Sequence, residues 1–332
     1  MPGKLILQPV NSHSGRLTYL EDLPAITVPN FWQAEPGAKI AWNEYGDPAA
    51  ASGVLMYYHG WPSSRLQARV LHHLAIARGI RVIALDRPGV GQSSFVHGRI
   101  LKDWGALIAE FADAHGIDRF AQLAVSGGGP YVLPVVDQMP DRVAGSAVLC
   151  GAVPLGAGHS RRGLRPLYRL LIPLRKLPSA LLTPGLRIGG KVADLPLNRP
   201  PLSWLVRTLP KEDRAVLLQN PRSVPAFVAS FQEGARQGWR GIRADAEVYL
   251  QDWKIDLASL RGEIRYWHGA QDRNIPLGLA RQLVSKIPIA TIEEDPHQGH
   301  FSIALNRAPE VMDYLAECLR TPAPRAKSPL EG

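Results

Sequence analysis

The stretch Leu123-Ala124-Val125-Ser126-Gly127-Gly128-Gly129-Pro130 places a serine between a strand pattern and a helix pattern. The apolar run Phe120–Val125 predicts a buried strand, and Tyr131–Met139 suits a helix. A serine between them stands on a tight turn that pushes its hydroxyl outward. The turn needs small residues two positions before and after the serine, and Ala124 and Gly128 are small. The pattern is that of a nucleophile elbow with alanine in place of the usual first glycine.

The same local pattern occurs in ordinary glycine-rich loops, so its interpretation depends on the rest of the chain. The apolar runs Val54–Tyr58 and Arg81–Leu85 predict strands that are buried on both faces. Arg65–Arg78 and Leu101–His115 carry apolar residues at helical spacing, and a glycine follows each of them. These two stretches therefore predict helices.

Strand and helix patterns continue to alternate along the chain. Further strands are predicted at Ala38–Tyr45, Val143–Leu149, Glu263–Trp267 and Ile289–Ile292, and further helices at Leu277–Lys286 and Phe301–Leu319, the last with a break risk at Pro309. Such alternation predicts a mostly parallel sheet with helices on both faces, an α/β fold. Working groups gather at the carboxyl ends of the strands in such sheets. His59, Asp86, Ser126 and Asp272 each follow a predicted strand.

The composition is that of a globular protein. The chain has 332 residues, of which 45% are hydrophobic and 20% charged, enough for one large α/β domain with an insertion or for two domains. The two cysteines, Cys150 and Cys318, lie too far apart in sequence to indicate a disulfide or metal motif. The N-terminal apolar patch is too short for a secretory signal, and no apolar run approaches the roughly 18 residues of a spanning helix. We therefore expect a cytoplasmic protein.

The formal net charge of +9 raises the question of a nucleic-acid partner. Such a partner would call for basic residues interleaved with aromatic ones, or for a known binding module, and the chain shows neither. The basic excess lies instead between Leu155 and Pro210, a segment that contains ten Lys and Arg residues and one acidic residue, Asp194. We expect no nucleic-acid binding.

A serine nucleophile needs a base, and the base needs an acid that orients it. Asp272 follows the strand Glu263–Trp267, and His300 lies on the loop after the next strand. The order Ser126, Asp272, His300 is the order that accompanies a nucleophile elbow. His297 is the rival base and Asp295 the weaker rival acid.

An acyl-transfer site also needs backbone amides that bind the oxyanion. Gly127 follows the serine at the start of a helix, and its amide is one candidate. The amide of Trp61, in the turn His59-Gly60-Trp61-Pro62, is the other. We interpret His59 itself as a buried structural histidine.

Other chemistries find little support in the sequence. The motif Gly89-Val90-Gly91 lacks the third glycine of a dinucleotide fingerprint, and no Lys-Ser or Lys-Thr pair follows it. The chain offers no convincing pair of carboxylates for glycoside chemistry and no metal-spaced cluster of His or Cys. We expect neither a cofactor nor a metal.

With these residues in hand, the chain resembles the α/β-hydrolase fold superfamily over about residues 35–320. The resemblance rests on five motifs in family order: His59-Gly-Trp-Pro62, Asp86-Arg-Pro-Gly-Val-Gly-Gln-Ser93, Val125-Ser-Gly-Gly-Gly129, Gly269-Ala-Gln-Asp-Arg-Asn-Ile-Pro276 and Gln298-Gly-His-Phe301. It implies Ser126 as nucleophile, His300 as base and Asp272 as orienting acid, with the amides of Trp61 and Gly127 as oxyanion donors. Relatives with a similar His-Gly-Trp-Pro motif use an aspartate nucleophile, and the serine here implies an acyl-enzyme instead.

The expected function is hydrolysis of a carboxylic ester or a similar acyl compound without a cofactor. Two alternatives remain open. The same three residues would serve a carbon–carbon bond hydrolase or an acyltransferase, and the same fold would serve a protein that only binds a small molecule.

The β/α alternation stops between Leu155 and about Trp253. The resemblance implies a helical cap at 155–253, inserted in a core domain of residues 1–154 and 254–320. Residues 321–332 are rich in proline and basic, and we expect them to be disordered. The basic, leucine-rich part of the cap either packs on the core as a solvated cover or meets an anionic membrane or an anionic substrate.

Overall fold

The computed structural model describes residues 16–50, 52–156, 158–174 and 176–322. These residues form an eight-stranded sheet of the strands β1 (Asn30–Ala34), β2 (Ala38–Gly46), β3 (Gly53–Tyr58), β4 (Ile80–Leu85), β5 (Phe120–Val125), β6 (Val143–Leu149), β7 (Ile264–Gly269) and β8 (Ala290–Asp295). The spatial order is β1-β2-β4-β3-β5-β6-β7-β8. The two pairings that β2 makes, with β1 and with β4, are antiparallel, and the others are parallel. The predicted α/β fold with a mostly parallel sheet is confirmed.

Helices lie on both faces of the sheet. Those outside the segment 155–253 are α1 (His72–Ile76), α2 (Asp103–Ala114), α3 (Val132–Gln138), α10 (Leu277–Val284), α11 (His300–Asn306) and α12 (Ala308–Arg320); the described part of that segment forms α4 (Pro166–Leu174), α5 (Ser179–Ala193), α6 (Leu202–Arg207), α7 (Lys211–Gln219), α8 (Ser223–Gly234) and α9 (Trp239–Glu247). We call residues 155–253 the insertion, because they separate β6 from β7.

Alternate residues of the central strands enter two different apolar clusters. Met56 and Tyr58 of β3 pack with residues of α2 and α3, whereas Leu55 and Tyr57 pack with residues of α1 and α12. Because successive side chains of a strand point to opposite faces, the two clusters cover the two faces of the sheet. This burial explains why the strands read as continuous apolar runs.

Three elements differ from the sequence prediction. Strand β1 was not predicted, because it is a short edge strand whose side chains, such as that of Phe31, remain partly exposed. The predicted helix Arg65–Arg78 is mostly a 3-10 helix, Arg65–Leu71, followed by the short α1. The predicted helix Phe301–Leu319 is interrupted at Arg307, which fits the break risk at Pro309 because proline prefers the first turn of a new helix.

Three carboxylates of the insertion reach groups of the sheet-bearing core. Asp213 of α7 accepts hydrogen bonds from the first turn of α11, Glu233 of α8 pairs with Arg65 at 2.8 Å, and Asp245 of α9 pairs with Arg87 at 2.7 Å. We call these three side chains the docking carboxylates. They fix α7, α8 and α9 to the core by charge-assisted hydrogen bonds, which are stronger than neutral ones.

The outer part of the insertion exposes large apolar side chains among its basic residues. Leu181 and Ile188 lie seven residues apart on one face of α5 and are 67% and 63% exposed, and Trp204 of α6 is 62% exposed. Contact of this surface with an anionic membrane or an anionic substrate stays a prediction. Among the described residues, no helix has both the length and the apolar character needed to cross a bilayer. Residues 323–332, which make up most of the predicted disordered tail, lie outside the described residues.

Candidate active site

Ser126 lies at the carboxyl end of β5, on the turn that the sequence predicted. Its backbone φ of 52° is in the left-handed region, which a side chain such as serine rarely adopts. A Cβ atom at Gly128 would overlap the carbonyl oxygen of Tyr58 on β3, and Ala124 is fully buried. Gly128 therefore lets the turn pack directly against the end of β3, and the strained serine is held with its hydroxyl outward.

The structure brings the three predicted side chains together. His300 Nε2 lies 3.0 Å from Ser126 Oγ, and His300 Nδ1 lies 2.7 Å from Asp272 Oδ2. His300 begins α11 after β8, and Asp272 stands on the turn after β7, so three strand ends supply the three groups. The arrangement is a continuous hydrogen-bonded chain from carboxylate to imidazole to hydroxyl.

Both carboxylate oxygens of Asp272 are hydrogen-bonded. Its Oδ1 accepts hydrogen bonds from the amides of Asn274, at 2.7 Å, and Ile275, at 2.9 Å, which leaves Oδ2 for His300. Burial opposes a charged imidazolium, but the Asp272 carboxylate outweighs that effect and raises the pKa of His300 well above its ordinary value. The pair therefore favours an imidazole that readily accepts a proton.

The two predicted oxyanion donors are neighbours in space. A Cβ atom on Gly127 would lie 2.7 Å from the Trp61 backbone nitrogen, so the two backbones are in contact beside Ser126. The Trp61 indole donates to the carbonyl of Ile242 at 2.9 Å, and the Tyr249 hydroxyl donates to the carbonyl of Gly127 at 2.8 Å. The first bond has its acceptor in the insertion, and the second has its donor there. They tie the Trp61 side chain and the peptide group after Gly127 to the insertion.

A buried charge network lies beneath this loop, and the sequence analysis did not predict it. The Arg87 guanidinium donates to the carbonyls of His59, at 2.6 Å, and Gly60, at 3.1 Å. The same guanidinium and that of Arg99 both pair with Asp245. Arg87 lies in the turn motif after β4, and the sequence gives no sign that an aspartate 158 residues later balances its charge.

His59 is completely buried, and its contacts fit the structural role expected from the sequence. Its Nδ1 lies 2.8 Å from the Gly60 carbonyl, and burial together with the nearby Arg87 charge lowers its pKa well below the ordinary value. The rival residues do not reach the site. Asp295 pairs with Arg307 at 2.7 Å, and the side chain of His297 is exposed to solvent.

Cys150, directly after β6, lies close to two of these groups, Asp272 and His300. Potential ligand atoms of Cys150, Asp272 and His300 lie within 4.8 Å of one another. The thiol, however, hydrogen-bonds the carbonyl of His300, and burial raises its pKa. A metal would need a thiolate and an imidazole nitrogen that is not already hydrogen-bonded. The donor set therefore fits a hydrogen-bonded chain better than a metal centre.

Two cavities meet at Ser126. The first, the insertion-side cavity, is lined mainly by apolar residues, among them Leu164, Trp239 and Tyr249, with Arg243 as its charged lining residue. The second, the α8-side cavity, has a volume of about 280 Å³ and is lined by Phe227, Phe231, His300 and Leu305, among others. A compound held at Ser126 could thus extend an apolar group in each direction.

The chain belongs to the α/β hydrolase fold family. The sequence model of that family, described as alpha/beta hydrolase fold, matches residues 53–306, which include the elbow and all three residues of the hydrogen-bonded chain. The eight-stranded sheet and the elbow at the end of β5 agree with this membership.

Three curated relatives extend the comparison. A non-heme haloperoxidase of Rhodococcus erythropolis is 34% identical over 126 residues, 37% of this chain and 44% of that protein. A bifunctional esterase/perhydrolase of Acinetobacter calcoaceticus is 31% identical over 121 residues, 36% of this chain and 42% of that protein. A 2-hydroxy-6-oxo-2,4-heptadienoate hydrolase of Pseudomonas putida is 27% identical over 252 residues, 73% of this chain and 80% of that protein. The match thus spans less than half of the first two relatives.

Proposed function

We propose that the protein is a serine hydrolase that cleaves carboxylic esters through an acyl-enzyme on Ser126. The observation that carries the proposal is the chain of hydrogen bonds from Asp272 through His300 to Ser126, at 2.7 and 3.0 Å. Serine is a poor nucleophile at its free pKa, and a neighbouring base that is itself oriented by a carboxylate removes this limitation. The similarity to a bifunctional esterase/perhydrolase supports the same chemistry.

In the acylation step, Ser126 Oγ attacks the ester carbonyl while His300 Nε2 takes the hydroxyl proton. The Asp272 carboxylate stabilises the imidazolium that forms. The amides of Trp61 and Gly127 donate to the oxyanion of the tetrahedral intermediate. Collapse of the intermediate breaks the bond to the alcohol oxygen, and His300 gives that oxygen its proton. The acyl group remains on Ser126.

Deacylation repeats these steps with water as the nucleophile. His300 takes a proton from the water, whose oxygen attacks the acyl carbonyl, and then returns the proton to Ser126 Oγ. The acyl and alcohol parts of the ester would occupy the two cavities that meet at the serine. Because both cavities are lined mainly by apolar residues, such as Trp239 in one and Phe227 in the other, we expect esters with apolar groups.

Labelling with a fluorophosphonate tests the proposal, since this probe bonds only to an activated serine. We expect wild type to be labelled and both Ser126→Ala and His300→Ala to lose labelling. His297→Ala is the matched control, because that histidine is exposed and lies three residues from His300. Labelling of folded Ser126→Ala would show that the nucleophile is another residue. Folded wild type that resists the probe and cleaves none of a panel of p-nitrophenyl esters would refute the proposal.

A second candidate is hydrolysis of a carbon–carbon bond in a diketone-like acid by the same three residues. Two observations favour it: the similarity to a 2-hydroxy-6-oxo-2,4-heptadienoate hydrolase and the Arg243 side chain at the insertion-side cavity. A guanidinium at that place suits the carboxylate of such a compound. The ester mechanism makes no use of this charge.

Product analysis separates the two candidates. Wild type and Arg243→Gln are assayed on a p-nitrophenyl ester and on a 2-hydroxy-6-oxo-dienoate. Carbon–carbon cleavage predicts turnover of the dienoate with a KM that rises in Arg243→Gln, while ester turnover stays unchanged. Turnover of the ester alone would exclude the second candidate.

A further inference from the structure

Asp213 is a buried carboxylate that is not one of the three hydrogen-bonded side chains of Ser126, His300 and Asp272. It contacts the backbone of His300 directly. Its side chain is fully enclosed, with the residue only 1% exposed. Oδ2 accepts a hydrogen bond from the amide of His300 at 3.0 Å. Oδ1 accepts from the amides of Phe301, at 3.0 Å, and Ser302, at 2.8 Å, and from the Ser302 hydroxyl at 2.9 Å.

Three of these four donors are backbone amides that the first turn of α11 would otherwise leave unsatisfied. The first amides of a helix have no partner within the helix, and a carboxylate that accepts from them also interacts favourably with the helix dipole. The Ser302 hydroxyl completes the arrangement, because it accepts from the Gly299 amide at 2.7 Å while it donates to Asp213. Asp213 thus fixes the backbone from Gly299 to Ser302.

The residue that supplies this carboxylate comes from a different part of the chain. Asp213 is in the first turn of α7, within the insertion, and lies 87 residues before His300. The local residues of α11 provide no acidic side chain in its first turn. The start of α11 therefore depends on an element of the insertion for its hydrogen-bond acceptors.

Gly299 makes this approach possible. A Cβ atom at position 299 would lie 2.5 Å from each oxygen of the Asp213 carboxylate, which is closer than real Cβ contacts come. The backbone φ at Gly299 is −103°, so alanine would be strained by the carboxylate and not by its own conformation. The buried Asp213 carboxylate and the absence of a side chain at Gly299 are two independent features, and both are needed for the hydrogen bond to the His300 amide.

We infer that Asp213 is a positioning residue for the proposed reaction: it holds the backbone of His300 so that the imidazole bridges Ser126 and Asp272. The inference rests on the proposed function and assigns to the insertion a part in the chemistry besides shaping the cavities. Since His300 contacts its two partners through opposite ring nitrogens, a shift of its backbone would lengthen at least one of the two hydrogen bonds. Asp213 touches neither substrate nor the reacting atoms.

Asp213→Asn tests the inference with little change in shape. An asparagine offers one acceptor oxygen, so its NH2 group would face either the His300 amide or the donors on Phe301 and Ser302. We expect the rate of fluorophosphonate labelling and kcat for ester hydrolysis to fall on the order of 10- to 100-fold, the effect of a displacement of about 1 Å in a catalytic group. KM should change little, because the cavities are unaltered.

Gly299→Ala serves as the second variant, because it retains the carboxylate and displaces it. It should lower labelling and kcat in the same way as Asp213→Asn. Glu212→Gln is the matched control: it removes the same charge one residue earlier on α7, and Glu212 makes no described hydrogen bond to α11. We expect Glu212→Gln to behave as wild type.

A spectroscopic readout separates positioning from general stability. The proton between His300 Nδ1 and Asp272 Oδ2 should give a far-downfield resonance in the proton NMR spectrum of wild type. The inference predicts that this resonance shifts or disappears in folded Asp213→Asn and Gly299→Ala and persists in Glu212→Gln. A variant that only loosened the insertion would lower the melting temperature and raise KM with the resonance unchanged.

The outcomes are decisive in each direction. Normal kcat, labelling rate and resonance in folded Asp213→Asn would overturn the inference. If Asp213→Asn does not fold, Gly299→Ala decides, and wild-type behaviour of that variant would overturn it. If wild type is not labelled and cleaves no ester, the proposed function fails, and the resonance in the three variants still shows whether Asp213 positions His300.

Discussion

Replacement of Asp245 by asparagine should destabilise the fold more than most single substitutions. The carboxylate accepts from Arg87 Nε and Nη2 at 2.8 and 2.7 Å, from Arg99 Nη2 at 2.7 Å and from the Tyr131 hydroxyl at 2.9 Å. Asp245 and both arginines are buried. Asp245→Asn would leave two neighbouring guanidinium groups in the interior without a compensating charge.

The magnitude follows from the loss of one partner of a buried ion pair, which destabilises by about 3–5 kcal/mol. That is a large part of the roughly 5–15 kcal/mol by which folded proteins are stable. With an unfolding entropy of about 0.7 kcal/mol/K for a chain of 332 residues, the melting temperature should fall by about 4–7 °C. Differential scanning calorimetry at pH 7 measures this difference.

Asp252→Asn is the control, because Asp252 is an exposed acid whose one described hydrogen bond is a local one from the amide of Lys254. Its melting temperature should stay within about 1 °C of wild type, as for most surface substitutions. If Asp245→Asn also melted within about 1 °C of wild type, the argument that this carboxylate balances the two buried arginines would be refuted.

The effect should depend on pH with a definite sign. Burial alone would raise the pKa of Asp245, but the charges of Arg87 and Arg99 outweigh it and hold that pKa well below the usual range. A carboxylate with a depressed pKa stabilises the fold above its unfolded pKa of about 3.9 and loses that contribution as the pH falls further. The gap in melting temperature between wild type and Asp245→Asn should therefore be constant near neutral pH and narrow below about pH 4.

Three further predictions concern the site itself. Asp272→Asn should lower kcat/KM on the order of 10⁴-fold; it should also move the acid limb of the labelling rate to lower pH, because Asp272 raises the pKa of His300, and an unshifted limb would contradict that cause. Gly128→Ala should push the elbow away from the Tyr58 carbonyl on β3 and lose labelling, whereas Gly185→Ala, on α5 with open space around its Cβ, should label normally and be equally or more stable; equal labelling of both variants would refute the steric argument. Trp239→Ala should enlarge the insertion-side cavity and raise kcat/KM for octanoyl relative to acetyl p-nitrophenyl esters by about tenfold, and an unchanged ratio would place the acyl chain elsewhere.

Local sequence patterns predicted the fold and the hydrogen-bonded chain because each of those features leaves a local mark. Ser126 lies in an elbow pattern, and Asp272 and His300 follow strands that are recognisable in the sequence as apolar runs. The order of the three along the chain then restricts the pairing. In the structure these side chains lie 2.7 and 3.0 Å from one another, and their catalytic roles stay a prediction.

The supporting residues could not be predicted in the same way, because their partners lie far away in sequence. Asp213 looks like an ordinary acid at the start of a helix, where acidic residues are common for local reasons. Asp245 stands in the helix Trp239–Glu247 among charged neighbours and gives no sign that it is buried. Only the packing of the insertion on the core shows which of its acids meet a buried arginine or a helix end.

The placement of the docking carboxylates has a consequence for how such an enzyme can diversify. They lie on α7, α8 and α9, while α4, α5 and α6 precede them in the chain and carry the exposed Leu181, Ile188 and Trp204. Mutations in the earlier helices can therefore accumulate over generations without disturbing the docking carboxylates, while the later helices must keep those carboxylates and also line both cavities. A library confined to residues 158–207 should yield few inactive members, whereas the same library in 211–247 should yield mostly inactive protein.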